Sequence, residues 1–241
     1  MFSSFTYFFI VYYYYYSLVI FQVCVYGFSG KFFFHLPKPA PRPELVLISG
    51  CTGTGKSTLG MTIALNQGIV KCISTDSIRQ VMRVYNTSDA LHRSSYSGYG
   101  DPILQWRECC SVLEDSVESL VHDALKRGVS MVLEGVHIIP SNSLLQRWRE
   151  AGGVALGIVL VITDENAHRE LINKRGHITK KGADHQIRSF SRIRAIQNEM
   201  IQLGKENNWL QIEQRLESDP IDIITDILDS SSVSSNMVNS L

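Results

Sequence analysis

One short segment near position 50 has the residue types and spacing of a phosphate-binding turn. It reads Gly50, Cys51, Thr52, Gly53, Thr54, Gly55, Lys56 and Ser57. This order matches the GxxxxGK[ST] pattern, whose glycines let successive backbone N–H groups point at phosphate oxygens. Lys56 can reach the β- and γ-phosphates of a nucleotide, and the Ser57 hydroxyl can bind Mg²⁺. We therefore predict that the turn binds ATP with Mg²⁺, and that Thr58 is a further contact near the α-phosphate.

A second group of chemically capable residues lies in the segment STDSIR, residues 74–79. Asp76 directly follows a predicted strand, and the carboxyl ends of parallel strands gather around the ligand in this kind of sheet. We expect Asp76 to face the γ-phosphate and take the proton of an acceptor hydroxyl. Arg79, one helical turn later, can bind an acidic group of the acceptor in a bidentate manner. The alternative for Asp76 is a helix N-cap.

Glu134 ends an apolar run that reads MVLEG over residues 131–135. An acid at the end of a buried strand commonly contacts Mg²⁺ or the water bound to it. We therefore predict that Glu134 and Ser57 together bind the metal. The alternative is a buried acid in a structural hydrogen bond.

Basic side chains are concentrated between residues 168 and 194. Phosphoryl transfer requires cations over the charge that spreads on the γ-phosphate, and these often come from a lid. Arg188 and Arg192 stand four residues apart, which is mildly unfavourable on a helix without an anion nearby. A solvated basic face paired with surface acids is the alternative for each of these residues.

Alternating strands and helices are predicted to position these residues. Strands are expected near 44–50, 69–74, 129–133, 154–162 and 210–212. Helices are expected near 56–66, from 75, and near 105–127, 141–151, 165–175, 184–204 and 219–228. The pattern predicts a three-layer α/β fold of the P-loop NTPase and kinase kind, with a mainly parallel sheet flanked by helices.

Residues 1–43 differ in composition from the remainder of the chain. Of the 10 Tyr and 10 Phe residues, 16 lie within residues 1–34, and residues 5–28 carry no charge. The segment is long enough to cross a membrane as a helix, and the positive charges after it would leave the rest of the chain in the cytoplasm. A functionless extension or an artefact of the assigned start is the competing interpretation, and a targeting peptide fits less well.

Prolines at 37, 39, 41 and 43 indicate an extended linker, so we place the domain boundary there. The expected organisation is an N-terminal segment at 1–43, a catalytic domain at 44–229 and a disordered tail at 230–241.

Charge and cysteine content exclude several classes of protein. The 23 basic and 23 acidic side chains give a net charge of zero, which argues against a general nucleic-acid binder. The five cysteines show no CxxC or Cys/His spacing, so reduced thiols are expected rather than a structural zinc site. The oligomeric state is not determined by the sequence.

Taken together, the motifs resemble the 2-phosphoglycerate kinase family of P-loop kinases and the related low-phytic-acid proteins. The resemblance runs from about Glu44 to Leu228 and rests on SGCTGTGKST, STDSIRQVMR, LHRSSYSGYG, LEGVHIIPS, and FSRIRAIQNEM followed by DPIDII. It implies ATP- and Mg²⁺-dependent phosphorylation of a small phosphorylated hydroxy acid, or a role in phytic acid metabolism. It also implies nucleotide contacts from Gly50 to Thr58. Acceptor-side roles are implied for Asp76, Arg79, Arg93, Ser94, Ser95 and Tyr96.

The chain departs from that family after His168, where Leu171 and Ile172 replace an Arg-Phe pair, so Arg175 is left as the lid cation. We predict an ATP-dependent small-molecule kinase in which Lys56, Asp76 and Arg175 act in transfer and Arg192 joins the acceptor contacts. Two alternatives are a non-catalytic ATP-binding regulator and a nucleic-acid end kinase.

Overall fold

The structure, a computed structural model, describes residues 11–14, 17–20, 42–96, 98–179, 184–213 and 221–233. The chain divides into two units, Met1–Ala40 and Pro41–Leu241. In the first unit, two short strands, β1 (Val11–Tyr14) and β2 (Ser17–Ile20), pair antiparallel. This part of the aromatic segment is therefore extended, and no helix within the described ranges is long and apolar enough to cross a membrane.

Five short strands form the sheet of the second unit. They are β3 (Glu44–Ser49), β4 (Lys71–Ser74), β5 (Met131–Gly135), β6 (Val154–Val161) and β7 (Leu210–Glu213). All pairs are parallel, in the order β4-β5-β3-β6-β7. The pairing sets Ser49 opposite Gly135 and Ser74 opposite Glu134. The three strands that precede the predicted site residues therefore end side by side at one edge of the sheet.

Helices cover both faces of this sheet. They are α1 (Lys56–Asn66), α2 (Thr75–Tyr85), α3 (Asp89–His92), α4 (Pro102–Lys126), α5 (Ser143–Glu150), α6 (Glu165–Thr179), α7 (Asp184–Arg188), α8 (Phe190–Glu206) and α9 (Ile221–Val233). On one face, Leu45 and Leu47 pack in a cluster with residues of α4, α5 and α8. On the other face, Val46 and Ile48 pack with residues of α1 and α9. This alternation within β3 is the period of two that a strand buried on both faces requires. The predicted three-layer α/β fold is confirmed.

Two of the predicted helices differ from the observed ones in where they begin or in their continuity. The long helix expected from residue 105 begins at Pro102, because the Asp101 carboxylate accepts hydrogen bonds from the N–H groups of Ile103 and Leu104. The single helix expected at 184–204 is two helices, because the chain restarts at Ser189, whose carbonyl accepts the first bonds of α8.

Two further differences concern short or terminal elements. The helix α3 was not expected, since its four residues give no periodic pattern. The last helix continues to Val233 rather than ending near 228, so the tail expected from residue 230 is helical over its first residues. The rest of that tail lies outside the described residues.

Candidate active site

The phosphate-binding turn joins β3 to α1 at the centre of the sheet. Gly53 and Gly55 adopt φ angles of 82° and 81°, which lie in the left-handed region that favours glycine. The hydroxyl of Thr54 donates to the carbonyl of Cys51 at 2.9 Å and closes the turn from inside. The side chains of Cys51 and Thr54 are fully buried. Any phosphate contact from these two positions therefore comes from their backbone N–H groups.

Thr52 is held by three other parts of the chain. Its backbone N–H donates to the Tyr96 hydroxyl at 2.9 Å. The Nε2 atom of His168 lies 2.8 Å from its carbonyl, and the Arg175 guanidinium donates to its hydroxyl at 3.2 Å. Arg175 therefore reaches the turn from α6, as a lid cation must, and Tyr96 brings the predicted acceptor segment against the same residue.

Lys56 begins α1 and turns its side chain back over the turn. Its Nζ atom donates to the carbonyl of Cys51 at 2.7 Å. Burial lowers the pKa of Lys56, and the nearby carboxylates of Glu134 and Asp76 oppose that shift. The ammonium group therefore lies within electrostatic reach of both acids.

Ser57 and Glu134 meet between the turn and β5. The Ser57 hydroxyl donates to Glu134 Oε1 at 3.0 Å, and Glu134 is 5% exposed. Burial raises the pKa of Glu134, while Lys56 and the Ser57 hydrogen bond lower it. Hydroxyl and carboxylate oxygens are the ligand types that Mg²⁺ prefers, usually with only one or two from the protein. The pair fits a site that nucleotide phosphates and water would complete.

Asp76 lies in the first turn of α2, on the open side of the site. Its side chain is 72% exposed, and its Oδ1 atom lies 3.8 Å from Nδ1 of His137. Its charge acts on Lys56, Glu134 and His137, so it faces the same space as the turn. The alternative that Asp76 is the N-cap of α2 is wrong, because Ser74 caps the helix with its hydroxyl on the N–H of Ser77.

Arg79 does not face that open space. Its side chain is buried, and its donors are directed to α3, to the residues that follow α3, and to His137 after β5. The acceptors are the carbonyls of Leu91, Ala90 and Arg93, the Ser95 hydroxyl, and Nε2 of His137. Its donors already have protein partners here, and direct binding of an acidic group of the acceptor by Arg79 stays a prediction. The guanidinium orders the segment that carries Arg93, Ser95 and Tyr96.

Arg93, Ser94, Ser95 and Tyr96 form one segment, which we call the acceptor loop (93–96). Ser95 and Tyr96 are buried, and Ser94 accepts a hydrogen bond from the N–H of Tyr96 at 3.3 Å. The Arg93 guanidinium is partly exposed and pairs with Glu108 on α4. Within this loop, Tyr96 is therefore the residue in direct contact with the phosphate-binding turn.

Arg192 lies on α8, and its contacts place it beside the entrance to α4. It donates to the carbonyl of Gly100 at 2.8 Å and to the Gln105 side chain. These bonds tie α8 to the segment before α4, and a contact between Arg192 and the acceptor stays a prediction. Ile172, where the family resemblance would place an aromatic residue, is fully buried. It packs against Gly53, so it supports the turn by packing.

Two histidines that the sequence did not single out as site residues belong to this region. His168 carries its ring to the turn and is fully buried, and burial lowers its pKa. His137 follows β5 and touches both α2 and the acceptor loop. The sequence could have indicated His137 by its position, because it lies three residues after Glu134 and therefore at the same edge of the sheet.

The cysteines in the part of the chain that the structure describes form no disulfide. Cys51, Cys72, Cys109 and Cys110 are free thiols, and burial raises the pKa of Cys51 to about 12. In the part of the chain that the structure describes, no group of three or more His, Cys, Asp or Glu side chains is placed to hold a metal ion.

Comparison with known proteins gives consistent matches. A family model described as an AAA domain matches residues 45–198. The 2-phosphoglycerate kinase of Methanocaldococcus jannaschii is 30% identical over 198 residues, which cover 78% of this chain and 63% of that protein. The 2-phosphoglycerate kinase of Pyrococcus horikoshii is 27% identical over 77% of this chain and 64% of its own length. The chain thus spans less than two thirds of these curated relatives.

A solved structure supports the fold. A proposed kinase from Chloroflexus aurantiacus is 18% identical, superposes with a TM-score of 0.51, and covers 78% of this chain and 98% of its own. That likeness concerns the fold alone, whereas the motif-based resemblance to 2-phosphoglycerate kinases is confirmed by the sequence relatives. The chain belongs to the AAA domain family, whose match extends from the first strand of the sheet through the phosphate-binding turn to α8.

Proposed function

We propose that this chain is an ATP- and Mg²⁺-dependent phosphotransferase that acts on the hydroxyl of a small anionic metabolite resembling 2-phosphoglycerate. One arrangement carries the proposal. Lys56, Asp76 and the Ser57–Glu134 pair stand within electrostatic reach of one another at the carboxyl edge of the sheet. Phosphoryl transfer to an alcohol requires cations and oxygen ligands for the metal and the phosphates. It also requires an accessible carboxylate on the side of the alcohol.

The role proposed for each residue follows from where its side chain lies. The turn at 50–57 holds the phosphates, with Lys56 and Arg175 supplying positive charge from α1 and α6. Asp76 is exposed, so an acceptor hydroxyl can approach it and give its proton to the carboxylate. The acceptor oxygen then bonds to the γ-phosphorus while the bond from that phosphorus to the β–γ bridging oxygen breaks, and ADP leaves. Thr58 is exposed on the first turn of α1 and is the further contact proposed for the α-phosphate.

Ser57 and Glu134 would hold Mg²⁺, directly or through water. A bound ion would neutralise part of the negative charge of the nucleotide phosphates. The role of the protein is to keep the two oxygens 3.0 Å apart beside the turn.

The acceptor class is inferred from the relatives and from the loop. The matched proteins are named 2-phosphoglycerate kinases, which supports a small acceptor that carries phosphate and carboxylate. Tyr96 brings the acceptor loop to the phosphate-binding turn, and the Arg93 guanidinium is partly exposed at its start. We propose residues 44–229 as the catalytic domain and the cytoplasm, where ATP is abundant, as its location.

The test is transfer from labelled ATP to a panel of phosphorylated hydroxy acids, inositol phosphates and oligonucleotide ends. We expect transfer to a small phosphorylated hydroxy acid. Replacement of Lys56 by Ala should abolish transfer and weaken nucleotide binding. Replacement of Asp76 by Asn should slow transfer by about a hundredfold or more while ATP still binds. Tight ATP binding without transfer to any acceptor would instead identify a nucleotide-binding regulator, and transfer to oligonucleotides alone would identify an end kinase.

A further inference from the structure

His137 is buried at the meeting point of three segments that are far apart in the sequence. Its side chain is fully buried just after β5. On one side, Nδ1 lies 3.1 Å from the Thr75 hydroxyl and 3.8 Å from Oδ1 of Asp76, both on α2. On the other side, Nε2 lies 2.8 Å from the Ser95 hydroxyl and 3.4 Å from the Arg79 guanidinium. The ring therefore spans the gap between the carboxylate and the acceptor loop.

The identity of these neighbours determines where the ring carries its proton. Arg79 can only donate, so Nε2 must accept and is unprotonated. Ser95 can accept from Arg79 at 3.2 Å and donate to the same Nε2 atom. The proton of a neutral ring then lies on Nδ1, which points at the Thr75 hydroxyl and the Asp76 carboxylate.

We propose that His137 is a positioning residue: a neutral imidazole whose Nδ1–H holds the Asp76 side of α2 while its Nε2 atom holds Ser95 and Arg79 of the acceptor side. The proposal rests on the function proposed above, in which Asp76 accepts the hydroxyl proton. The ring fixes the distance between the group that takes the proton and the loop that presents the acceptor.

Burial and charge support a neutral ring. Burial lowers the pKa of His137 to about 4, the Asp76 carboxylate opposes this shift, and the cations of Arg79 and Lys56 add to it. A protonated ring would bring an Nε2–H group against the Arg79 guanidinium. Gly135 allows the close approach on which this depends, because a Cβ there would overlap the Thr75 side chain.

Two substitutions separate the two sides of the ring. An Asn side chain places an amide where Nδ1 lies but does not extend to the Nε2 position, so H137N keeps the contact with Thr75 and Asp76 and loses Ser95 and Arg79. A Gln side chain reaches the Nε2 position, so H137Q keeps Ser95 and Arg79 and loses the donor toward Thr75 and Asp76. Each variant is the matched control for the other.

The kinetic expectation is a split between KM and kcat. H137N should raise the KM of the acceptor by about tenfold with little change in kcat, because the acceptor loop loses its anchor. H137Q should lower kcat by about tenfold with little change in the KM of the acceptor, because Asp76 loses its neighbour. The KM of ATP should stay unchanged in both. Equal effects of the two variants on both parameters would overturn the proposal.

Hydrogen exchange measured by mass spectrometry tests the same link without activity. The amide of Arg93 donates to the carbonyl of Asp89, so protection of residues 89–93 reports the order of this segment. We expect wild-type protection in H137Q and at least about tenfold faster exchange in H137N. Identical exchange in the two variants would overturn the link. If wild type transfers no phosphate to any acceptor, the proposed function fails, and the exchange comparison alone supports or overturns the role of His137.

Discussion

At the scale of single residues, the site contains ionisable groups that are buried, and burial disfavours their charged forms. Burial raises the pKa of Glu134 and lowers the pKa of Lys56, yet each opposes the shift of the other. Removal of either group would leave the other charge buried without its opposite charge nearby, which is unfavourable. Ser57 adds a hydrogen bond to the carboxylate at 3.0 Å. The acid and the cation are therefore parts of one electrostatic unit beside the phosphate-binding turn.

Replacement of Glu134 by Gln tests this unit at the residue scale. The amide keeps the shape of the side chain but removes the negative charge from the proposed Mg²⁺ site. We expect turnover to fall by about a hundredfold or more, with ATP binding in the absence of Mg²⁺ much less affected. Steady-state kinetics and calorimetric titration with and without Mg²⁺ measure both effects.

Glu118 offers the matched control. It lies on α4 and pairs with Arg147 at 2.6 Å on a partly exposed surface. Replacement of Glu118 by Gln should leave turnover unchanged, since exposed pairs contribute little. Wild-type turnover in the Glu134 variant would remove Glu134 from the metal site.

At the scale of elements, the Tyr96 hydroxyl ties the acceptor loop to the phosphate-binding turn. The Tyr96 hydroxyl accepts from the Thr52 N–H at 2.9 Å, and Tyr96 is 8% exposed. Arg79 on α2 binds the backbone of the same loop from the other side. A buried backbone N–H that loses its partner destabilises the fold, because water cannot replace the lost acceptor. The loop and the turn are thus expected to be ordered together.

Replacement of Tyr96 by Phe removes only this hydroxyl. We expect the free energy of unfolding of the nucleotide-free protein to fall by about 1–2 kcal/mol, because Thr52 keeps a buried donor without an acceptor. Urea unfolding followed by circular dichroism measures the change. Tyr99 is 99% exposed, so its replacement by Phe is the control and should have no effect. Equal stability of the two variants would show that the Tyr96 hydroxyl does not tie the loop to the turn.

At the scale of the whole molecule, the parallel sheet brings together residues that are far apart in the sequence. Because β4, β5 and β3 are neighbours and run in the same direction, Asp76, Glu134 and the turn at 50–57 meet at one edge. Helices on opposite faces follow β3 and β5, so the crevice opens between those two strands. The tertiary arrangement also buries His137 between α2 and the acceptor loop, which makes stability depend on pH.

The pH dependence has a defined direction. His137 has an ordinary pKa of 6.5 and a pKa of about 4 in the fold. Between these values the unfolded chain binds a proton that the folded chain does not, so the free energy of unfolding falls as the pH falls. When the pH is lowered from about 7.5 to about 5, His137 should reduce the free energy of unfolding by about 2 kcal/mol. The H137Q variant has no titrating group at this position. Over the same pH change, its free energy of unfolding should therefore fall by about 2 kcal/mol less than that of wild type.

Urea unfolding of both proteins at the two pH values measures this difference. His168, whose pKa is also lowered by burial, is present in both proteins, so its effect cancels in the comparison. Parallel pH profiles for wild type and H137Q would contradict a buried neutral ring at position 137.

The sequence by itself determined the class of the fold and the phosphate-binding turn. GxxxxGK[ST] depends on local backbone geometry, and the observed left-handed angles of Gly53 and Gly55 are the ones that such a turn needs. Hydrophobic runs and helical periodicity gave the order of strands and helices for the same local reason. Glu134 could be singled out because it ends an apolar run, and the carboxyl ends of parallel strands share one functional edge.

Only the tertiary structure decided which polar side chains face the open space and which are turned inward. Arg79 and Arg192 looked equally suited to bind an anion, but their guanidinium groups bind backbone carbonyls of other segments. Tyr96 and His137 act through partners more than 40 positions away in the sequence. Side-chain direction and long-range hydrogen bonding depend on how the elements pack, and no local spacing encodes that packing.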